Sequence, residues 1–591
     1  MMKKFNLAAL SVAILGSFSA TAQADLYSVQ RIETPQEFVN LLPRDINDQG
    51  MLALLSWIPL DTEFDLTKLT PTLQAAIGIP TDADLSTYTL SDEQYINLMG
   101  ILQDNISSSL LNVRTGTNAA TRYDGQHYEF ISPLDGSADL ARVASTTIDT
   151  QFHALNQHNM LVGTTSSAYT ELPHTYTPAA SADGDPQPVS LTYYQRDFTS
   201  RAMWVNGNNF HLYAPPETSY LGGESVMYDI NENNVAVGAV SVGLSPAAVD
   251  AIEICEGLDP LTSVSPAYVC IWNLWHFRQG ARANNLPISF LQSLSVSTNQ
   301  SIYDMNAARW QLDANGHVID VKLWGTLLER TGEEDLEDFS SYAYAINNND
   351  IAVGQSWTYY DTGNDDWLGK PNTRIKMPAI FTGDEVKAVS QSRDYYWGSA
   401  RDINDENIAI GFMLKSIQGY LRYVGFKYDV DTETFTELGA FFIGSSTIPN
   451  AINNSGLVVG SAEIDSSLET ARRRVGFVYD INNASAGLIN LNDAIACNSE
   501  LFIVSADAIN SQGQILATAL EQVEQTGDNG QTTQKTLTRT VKLNPIAGGQ
   551  IGNCNAEDVV IERQGAATGL LGMLSMLLIG GLITIRRRWW I

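Results

Sequence analysis

Clustered carboxylates are the residues of this chain whose spacing first suggests chemistry. One acidic run is Glu333-Glu334-Asp335-Leu336-Glu337-Asp338, and a second stretch holds Asp361, Asp365 and Asp366. Carboxylate and carbonyl oxygens are the ligands that Ca²⁺ prefers, but neither run fits the helix-loop-helix calcium template, which ends on a carboxylate. We interpret both runs as solvated acidic loops, with calcium binding by Asp361, Asp365 and Asp366 as the alternative. No other cofactor is predicted.

Motifs that would identify an enzyme are missing from the sequence. It has no G-x-S-x-G nucleophile elbow, no H-E-x-x-H zinc motif, no phosphate-binding G-x-x-x-x-G-K and no dinucleotide-binding glycine pattern. The histidines show no metal-ligand spacing, and His153 and His158 flank a repeated turn, where we expect surface or turn residues. The 66 acidic residues could still bring a carboxylate pair together in space, as glycosidases do, so catalysis is not excluded.

Aromatic residues divide into two groups. Trp204, Trp310, Phe381, Phe426 and Phe477 recur at one point of a repeated pattern, which predicts a core position. A second group breaks that pattern and is the better candidate for an exposed ligand site. Its members are Tyr359, Tyr360, Trp367, Tyr395, Tyr396 and Trp397.

The net charge of the chain is −32. A field of this sign repels nucleic-acid phosphates and anionic membrane surfaces, and it favours solubility. We therefore predict no nucleic-acid partner.

A short motif recurs along most of the chain. The structural elements that it forms must therefore position any functional site. An aliphatic residue precedes an Asn that can close an Asx-turn, Gly or Asn follows to supply positive φ, and an apolar strand comes next. The copy at Asn306 is weaker because it lacks the glycine-ended strand. The shared positions are Asn47, Asn156, Asn231, Asn306, Asn347, Asn404, Asn453 and Asn510.

This periodicity predicts an all-β, propeller-like body of seven or eight repeat units over residues 25–560. Closure into a ring removes exposed sheet edges, so we favour it over an open β-solenoid. Residues 58–113 depart from the strand pattern. Ser91-Asp92-Glu93-Gln94 reads as a capping box before Tyr95, Leu98, Met99, Leu102 and Ile106 at helical spacing, which predicts a small helical insertion.

The repeat resembles the HAF-type extracellular repeat, whose signature is A/D-I-N-x-x-G-x-V-V-G followed by A-F-x-W/Y. Ala451-Ile452-Asn453-Asn454-Ser455-Gly456-Leu457-Val458-Val459-Gly460 is the copy that matches it most fully. The resemblance covers about residues 40–545. It implies an extracellular repeat protein and does not indicate what the protein binds.

The N-terminal segment predicts export. Residues 1–24 contain Lys3 and Lys4, an apolar run and Ala22-Gln23-Ala24, which is the small-x-small pattern of a signal peptide cleaved between Ala24 and Asp25.

The cysteines fit the same interpretation. In an oxidising compartment the local pairings are Cys255 with Cys270 and Cys497 with Cys554, and reduced, buried thiols are the alternative.

The C-terminal segment, residues 561–591, predicts one transmembrane helix. Residues 566–585 carry no charge and are long enough to cross a bilayer, and Arg586, Arg587 and Arg588 would stay on the cytoplasmic side. This tail resembles the GlyGly-CTERM sorting signal, although Gly565 and Gly569 are not adjacent. The resemblance implies transient anchoring in the inner membrane, processing by a rhomboid-type intramembrane protease, and a final place on the cell surface or outside the cell. A permanent anchor is the alternative.

These features favour a function in binding. We predict an exported, non-catalytic binding protein whose extracellular ligand the sequence does not specify. The alternative is a secreted hydrolase that acts on an extracellular polymer through carboxylates on the propeller face.

Overall fold

Seven antiparallel sheets of four strands follow one another along the chain, together with one two-stranded hairpin. The computed structural model describes residues 25–551. Within that span it leaves out residues 36–37, 39, 58–63, 92–93, 96, 99–100, 102–117, 133, 135–147, 180–185, 284–301, 331–337, 360–373, 467–471, 498 and 527–531.

The first three sheets, blades 1 to 3, carry the main insertions. Strand β1 (Tyr27–Ile32) precedes them. The strands of these blades and of the hairpin β8–β9 are β2 (Asn40–Ile46), β3 (Leu52–Trp57), β4 (Asn118–Tyr123) and β5 (Tyr128–Ile131); β6 (Thr150–Leu155), β7 (Leu161–Thr165), β8 (Thr170–Tyr176), β9 (Val189–Gln195), β10 (Arg201–Asn206) and β11 (Asn209–Tyr213); and β12 (Ser225–Ile230), β13 (Val235–Leu244), β14 (Tyr303–Leu312) and β15 (Val318–Trp324).

Blades 4 to 7 follow the same order. Their strands are β16 (Ser341–Ile346), β17 (Ala352–Tyr359), β18 (Arg374–Thr382) and β19 (Glu385–Ala388); β20 (Tyr395–Ile403), β21 (Ile408–Ile417), β22 (Tyr420–Asp429) and β23 (Thr434–Glu437); β24 (Thr447–Ile452), β25 (Leu457–Glu463), β26 (Arg474–Asp480) and β27 (Ile489–Asn490); and β28 (Leu501–Ile509), β29 (Ile515–Thr526) and β30 (Thr532–Pro545).

The helices lie in the connections between strands. Helix α1 (Pro71–Ile77) lies between β3 and β4, while α2 (Pro246–Glu256) and α3 (Ala267–Ala283) lie between β13 and β14. Short 3-10 turns span Leu66–Lys68, Ile481–Ala486 and Leu491–Asp493.

The two ends of the described chain meet in blade 7. Strand β1 pairs antiparallel with β30, from Tyr27 opposite Pro545 to Ile32 opposite Thr540, and completes the fourth position of that sheet. An N-terminal strand therefore closes the ring of blades by supplying the outermost strand of the last sheet.

The repeated Asn residues form a continuous hydrogen-bonded ring at the centre. Each one follows the innermost strand of its blade, and its side-chain Nδ2 donates to the backbone carbonyl of the corresponding Asn in the next blade. The seven bonds measure 2.8–3.2 Å and run through Asn47, Asn156, Asn231, Asn347, Asn404, Asn453 and Asn510 back to Asn47.

The same side chains shape the turns that hold them. The Oδ1 of Asn231, for example, accepts the backbone N–H groups of Asn233 at 2.9 Å and Val235 at 3.0 Å. The residue three positions after each Asn has positive φ, and Gly, Asn or Asp tolerates this backbone best. These residues are Gly50, Asn159, Asn234, Asp350, Asn407, Gly456 and Gly513.

Each innermost strand carries a β-bulge just before its Asn. In blade 3, Met227 and Asp229 pair with consecutive residues of β13, so Tyr228 is skipped. The bulge brings the backbone of the first strand against the second, and five blades have Gly at that contact. A Cβ on Gly238 would lie 1.8 Å from the carbonyl oxygen of Val226. The glycine that ends the sequence motif is therefore required by the close approach of two backbones.

An Asp precedes the motif in blades 1, 3 and 5 and ties each blade to the next. The Oδ2 atoms of Asp45, Asp229 and Asp402 accept the backbone N–H groups of Leu155, Ile346 and Ile452, at 2.8–2.9 Å. The neighbouring blades have Ala at the equivalent position. The Asp side chain can therefore contact the backbone of the next blade, because the small Ala at the equivalent position there leaves space for it.

The two ends of the propeller differ in their loops. We call the end that carries the Asn turns the ring end, and the other the insertion end. Because alternate strands run in opposite directions, every connection from a second to a third strand lies at the insertion end. The long insertions of blades 1, 2 and 3 are all connections of this kind.

The structure has seven units because Asn306 is not a repeat turn. This residue lies inside β14, and its neighbour three positions on, Arg309, does not have positive φ. Trp204, Trp310, Phe381, Phe426 and Phe477 lie on third strands and are buried, as predicted for core residues. Ser91 and Gln94 exchange the hydrogen bonds of the predicted capping box.

The predicted fold class requires a correction. It included a C-terminal transmembrane helix, but no helix among the described residues is long and apolar enough to cross a membrane. The predicted span, residues 566–585, lies outside those residues. The fold is a seven-bladed all-β propeller. The sequence pattern did not predict a second helical insertion, α2 and α3, because a disulfide and tertiary packing stabilise these helices.

Asn231→Ala tests the ring. The substitution removes a donor to the Asn347 carbonyl and leaves two turn N–H groups without their acceptor. We expect a loss of about 2–4 kcal/mol in the free energy of unfolding, since each unsatisfied buried group costs about 1–3 kcal/mol. Urea denaturation measures it. Asn306→Ala is the matched control, and an equal loss in that variant would contradict the ring's importance.

Gly238→Ala tests the bulge contact. Its Cβ would collide with the Val226 carbonyl, whereas a Cβ on Gly243, in the same strand, meets nothing within 4 Å. We expect Gly238→Ala to lower the free energy of unfolding by more than about 2 kcal/mol and Gly243→Ala to change it by less than about 1 kcal/mol. Equal denaturation midpoints for the two variants would show that the contact is not restrictive.

Candidate functional site

The bulged residues of the inner strands reach the central channel. In blades 2 to 5 the skipped residues are His153, Tyr228, Tyr344 and Arg401. All four line one cavity of about 430 Å³. A bulge re-aims a side chain and breaks strand pairing locally, so the distortion that each blade repeats also presents these four side chains together.

The cavity lies toward the insertion end of the channel. Residues at the starts of inner strands, such as Glu224 and Ser225, line it, and Trp275 from α3 contributes from the insertion of blade 3. Its volume lies within the range of about 300–1,000 Å³ that small-molecule sites occupy. Its lining also includes Gln151, Thr164, Tyr342, Gln355, Lys376, Trp397 and Ser399.

Aromatic rings form a continuous wall of this cavity. The ring centroids of His153 and Tyr228 are 5.3 Å apart, and those of Tyr228 and Tyr344 are 5.0 Å apart. Tyr342 stacks beside Tyr344, with centroids 6.1 Å apart. Contacts between rings fix the orientation of each one, so the wall is preorganised.

Two cations lie against these rings. The Arg401 guanidinium carbon is 6.0 Å from the centre of the Tyr344 ring and 5.2 Å from that of Phe412. The Lys376 Nζ is 4.9 Å from the centre of the Trp357 ring and 5.9 Å from that of Tyr342. Burial lowers the pKa of Arg401 from its ordinary value, but a guanidinium remains charged in proteins.

Two further titratable side chains, His153 and Glu224, line the cavity. Burial, helped by the nearby charge of Arg44, lowers the pKa of His153 to about 3, so this imidazole is neutral near pH 7. Its Nε2 lies 2.9 Å from the Thr164 hydroxyl. The Glu224 carboxylate accepts a hydrogen bond from the Trp275 indole. The cavity is therefore weakly positive inside a strongly acidic protein.

A disulfide stabilises the insertion that carries Trp275. Cys255 at the end of α2 and Cys270 in α3 form the predicted pair, 15 residues apart in sequence. Trp272 is buried with Ile252 and Val269, and its ring stacks on His276 at 4.5 Å. The cross-link and this cluster hold α3 at the mouth of the cavity.

Several predicted site residues lie outside the described part of the chain. These are Asp361, Asp365 and Asp366, Tyr360 and Trp367, Cys554, Ala24, and Gly565, Gly569, Arg586, Arg587 and Arg588. Glu333 to Glu337 lie outside it too, while Asp338 is buried and accepts a hydrogen bond from Ser340. Asp25 forms a β-bridge with Gln550.

The remaining predictions have mixed outcomes. Cys497 is disulfide-bonded, and His158 is exposed as expected. The interpretation of His153 as a surface or turn residue is wrong, since it lies on β6 and faces the channel. Trp397 lines the cavity, whereas Tyr395 is buried and donates to Glu437. In the described residues there is no group of three or more His, Cys, Asp or Glu side chains arranged to hold a metal.

The sequence contains a signal for this site that the motif search missed. The residue three positions before each repeat Asn is the bulged one, and its identity changes from blade to blade while the flanking residues stay similar. In chain order these residues are Arg44, His153, Tyr228, Tyr344, Arg401, Asn450 and Asp507.

The fold and the cavity define a seven-bladed β-propeller with a ligand-sized site at one end of its channel. The chain belongs to a family described as "Protein of unknown function (DUF3466)", whose profile matches residues 4–588. No curated protein matches the chain.

Solved structures with a similar arrangement are distant. The β-propeller domain of the Trilobed protease from Pyrococcus furiosus is 7% identical with a TM-score of 0.34, covering 85% of this chain and 95% of that one. The phage phi92 endosialidase is 7% identical with a TM-score of 0.31, covering 88% and 70%. An oligogalacturonate lyase in complex with manganese is 9% identical with a TM-score of 0.24, covering 68% and 96%. These values are too low to support an argument about function.

The enclosed carboxyls of the inter-blade ties make stability depend on pH. Burial raises the pKa of Asp45 to about 7 and of Asp229 to about 6, and it raises that of Asp402 well above its ordinary value. Between about pH 4 and pH 7 these carboxyls are protonated in the folded protein but ionised in the unfolded chain. The stability that this proton binding gives the folded state is therefore lost as pH rises through that window.

We expect the free energy of unfolding to fall as pH rises from about 4 to 7, as measured by urea denaturation. Asp45→Ala should reduce the slope, while Asp250→Ala, at an exposed position of α2, should leave it unchanged. A slope of the opposite sign, or one that Asp45→Ala leaves intact, would contradict the assignment.

Proposed function

We propose that this protein is an exported, non-catalytic binding protein whose ligand occupies the cavity at the insertion end of the channel. One observation carries the proposal. Four consecutive blades present their bulged side chains to a single cavity that combines an aromatic wall with two cations. Sites of this size with a few convergent polar groups are typical of small-molecule binding.

The lining supports recognition of a ring-shaped, hydroxylated ligand. Tyr342, Tyr344 and Trp397 offer flat apolar surfaces, while Gln151, Gln355 and Ser399 offer amide and hydroxyl groups. Aromatic side chains combine a large apolar area with fixed geometry, and amides both donate and accept hydrogen bonds. A saccharide ring has an apolar face that can stack on the aromatic side chains, and it has hydroxyl groups that can form hydrogen bonds with the amide side chains.

The cavity provides less support for hydrolysis. Glycosidases act through a pair of carboxylates, and among the described residues that line the cavity Glu224 is the only carboxylate. This carboxylate accepts a hydrogen bond from the Trp275 indole, which gives it a structural role. No observation here favours the hydrolase alternative over binding.

Export is supported by two independent features. Residues 1–24 have the pattern of a signal peptide, and the Cys255–Cys270 disulfide belongs to proteins that fold in oxidising compartments. The ligand would then be one that the protein meets outside the cytoplasm.

Binding is tested by a glycan and small-molecule screen on the purified protein, followed by Trp fluorescence or calorimetry. We expect Trp397→Ala to weaken any cavity ligand by about tenfold or more, which corresponds to about 1.4 kcal/mol. Trp57→Ala, at an exposed position outside the cavity, is the control. The ligand should be recovered chemically unchanged, and turnover would favour the hydrolase instead.

Export is tested by mass spectrometry of the protein from the cell envelope and medium. The mature chain should begin at Asp25, and Cys255 and Cys270 should resist alkylation until a reductant is added. A chain that keeps Met1, or thiols that react without reduction, would contradict export.

A further inference from the structure

Arg401 is an enclosed cation with no anionic partner among the described residues. It lies at the bulge of β20, its Nε has no hydrogen-bond partner, and its contacts are the rings of Tyr344 and Phe412. The groups that influence its charge electrostatically are Tyr344, Tyr423 and Tyr228, none of which is a carboxylate.

Three other arginines of the same body form ion pairs. Arg196 lies 2.8 Å from Asp149, Arg472 lies 3.2 Å from Glu463, and Arg539 lies 2.8 Å from Glu521. With 66 acidic and 34 basic residues in the chain, a shortage of carboxylates does not explain the difference. Arg201 and Arg474 also lack an ion pair, but they donate hydrogen bonds to oxygens of Gly222 and Ser461. Arg44 lacks one too, but the charge of Asp507 acts on it. Arg401 has neither kind of partner among the described residues. Burying a charge without a partner is costly, so this arginine calls for an anion from outside the chain.

The surroundings of Arg401 agree with an external anion. Lys376 is a second cation on the same cavity, and Glu224 already holds the Trp275 indole. His153 is neutral near pH 7 and adds no competing charge. An entering carboxylate would meet a planar guanidinium, which suits the planar oxygens of a carboxylate.

We propose that the ligand of this cavity is an acidic saccharide whose uronic acid carboxylate pairs with Arg401. The proposal rests on the binding function above and specifies its ligand class. Lys376 supplies a second cation for the anion, Tyr342 and Tyr344 carry the face of the sugar ring, and Gln151 and Gln355 accept and donate to its hydroxyls.

Calorimetry with three probes tests the proposal on the wild-type protein alone. Digalacturonate should bind, and cellobiose, a neutral disaccharide of similar size, should bind about tenfold or more weakly. Adenosine monophosphate should not compete. Equal affinity for the two saccharides, displacement by the nucleotide, or no binding of digalacturonate would overturn the proposal.

Arg401→Met supplies a second readout. It should weaken digalacturonate binding by about 10- to 100-fold, the loss expected for hydrogen bonds to a charged group. Because it removes an unpaired charge, it should leave the unfolding midpoint unchanged or raise it. Arg196→Met, which breaks an ion pair, should lower that midpoint. A destabilised Arg401→Met protein that binds digalacturonate normally would assign Arg401 a structural role.

The two proposals fail in different ways. A neutral ligand that depends on Trp397 would leave the cavity as a binding site and remove only the acidic saccharide. If no ligand of any class depended on Trp397, the cavity itself would be excluded as the binding site.

Discussion

The amide side chain of the repeat Asn is the interaction on which the rest of the structure depends. One carboxamide closes the turn of its own blade through Oδ1 and holds the next blade through Nδ2. Because the acceptor is the backbone carbonyl of the equivalent residue, the seven blades are held in one common register around the axis. The same side chain thus specifies both a local turn and the ring as a whole. Because its carbonyl oxygen and its NH₂ group are both hydrogen-bonded, the buried amide also avoids the free-energy cost of burying unpaired polar groups.

The bulge that precedes each Asn joins architecture to recognition. It forces the backbone contact that Gly238 and its equivalents relieve, and it leaves one side chain per blade free of strand pairing. The scaffold constrains the flanking residues but not the bulged one, so the chemistry of the channel can change without changing the fold. Tyr228, Tyr344 and Arg401 show how different side chains occupy equivalent backbone positions. Sites held on rigid elements in this way need little reorganisation on binding.

How much the sequence predicts depends on how local the determining interaction is. The Asx-turn and its positive-φ residue lie within a few positions of each other, so the repeat and the all-β ring could be predicted. Asn306 could have been excluded by the same rule, since Arg309 occupies the position that needs Gly, Asn or Asp. The cavity could not be predicted, because it joins His153 to Arg401 across four blades and their angular order appears only once the ring closes. The second insertion was missed because its helices are stabilised by a disulfide and tertiary packing rather than by a clear apolar stripe.

The Asp ties join only six of the seven blades in pairs. Asp on one blade reaches an Ala-bearing neighbour, which makes pairs of blades 1 with 2, 3 with 4 and 5 with 6. An odd ring cannot be divided into pairs, and the blade left over is blade 7, which also contains the N-terminal strand. By the Asp ties alone, blades 1 to 6 form three couples and blade 7 stands apart, and blade 7 carries the seam where the chain closes. At its border with blade 6 a different residue makes the crossing, with Asn450 donating to the Ala506 carbonyl at 2.9 Å. The Asp ties thus superimpose three couples on a ring whose Asn bonds join all seven blades.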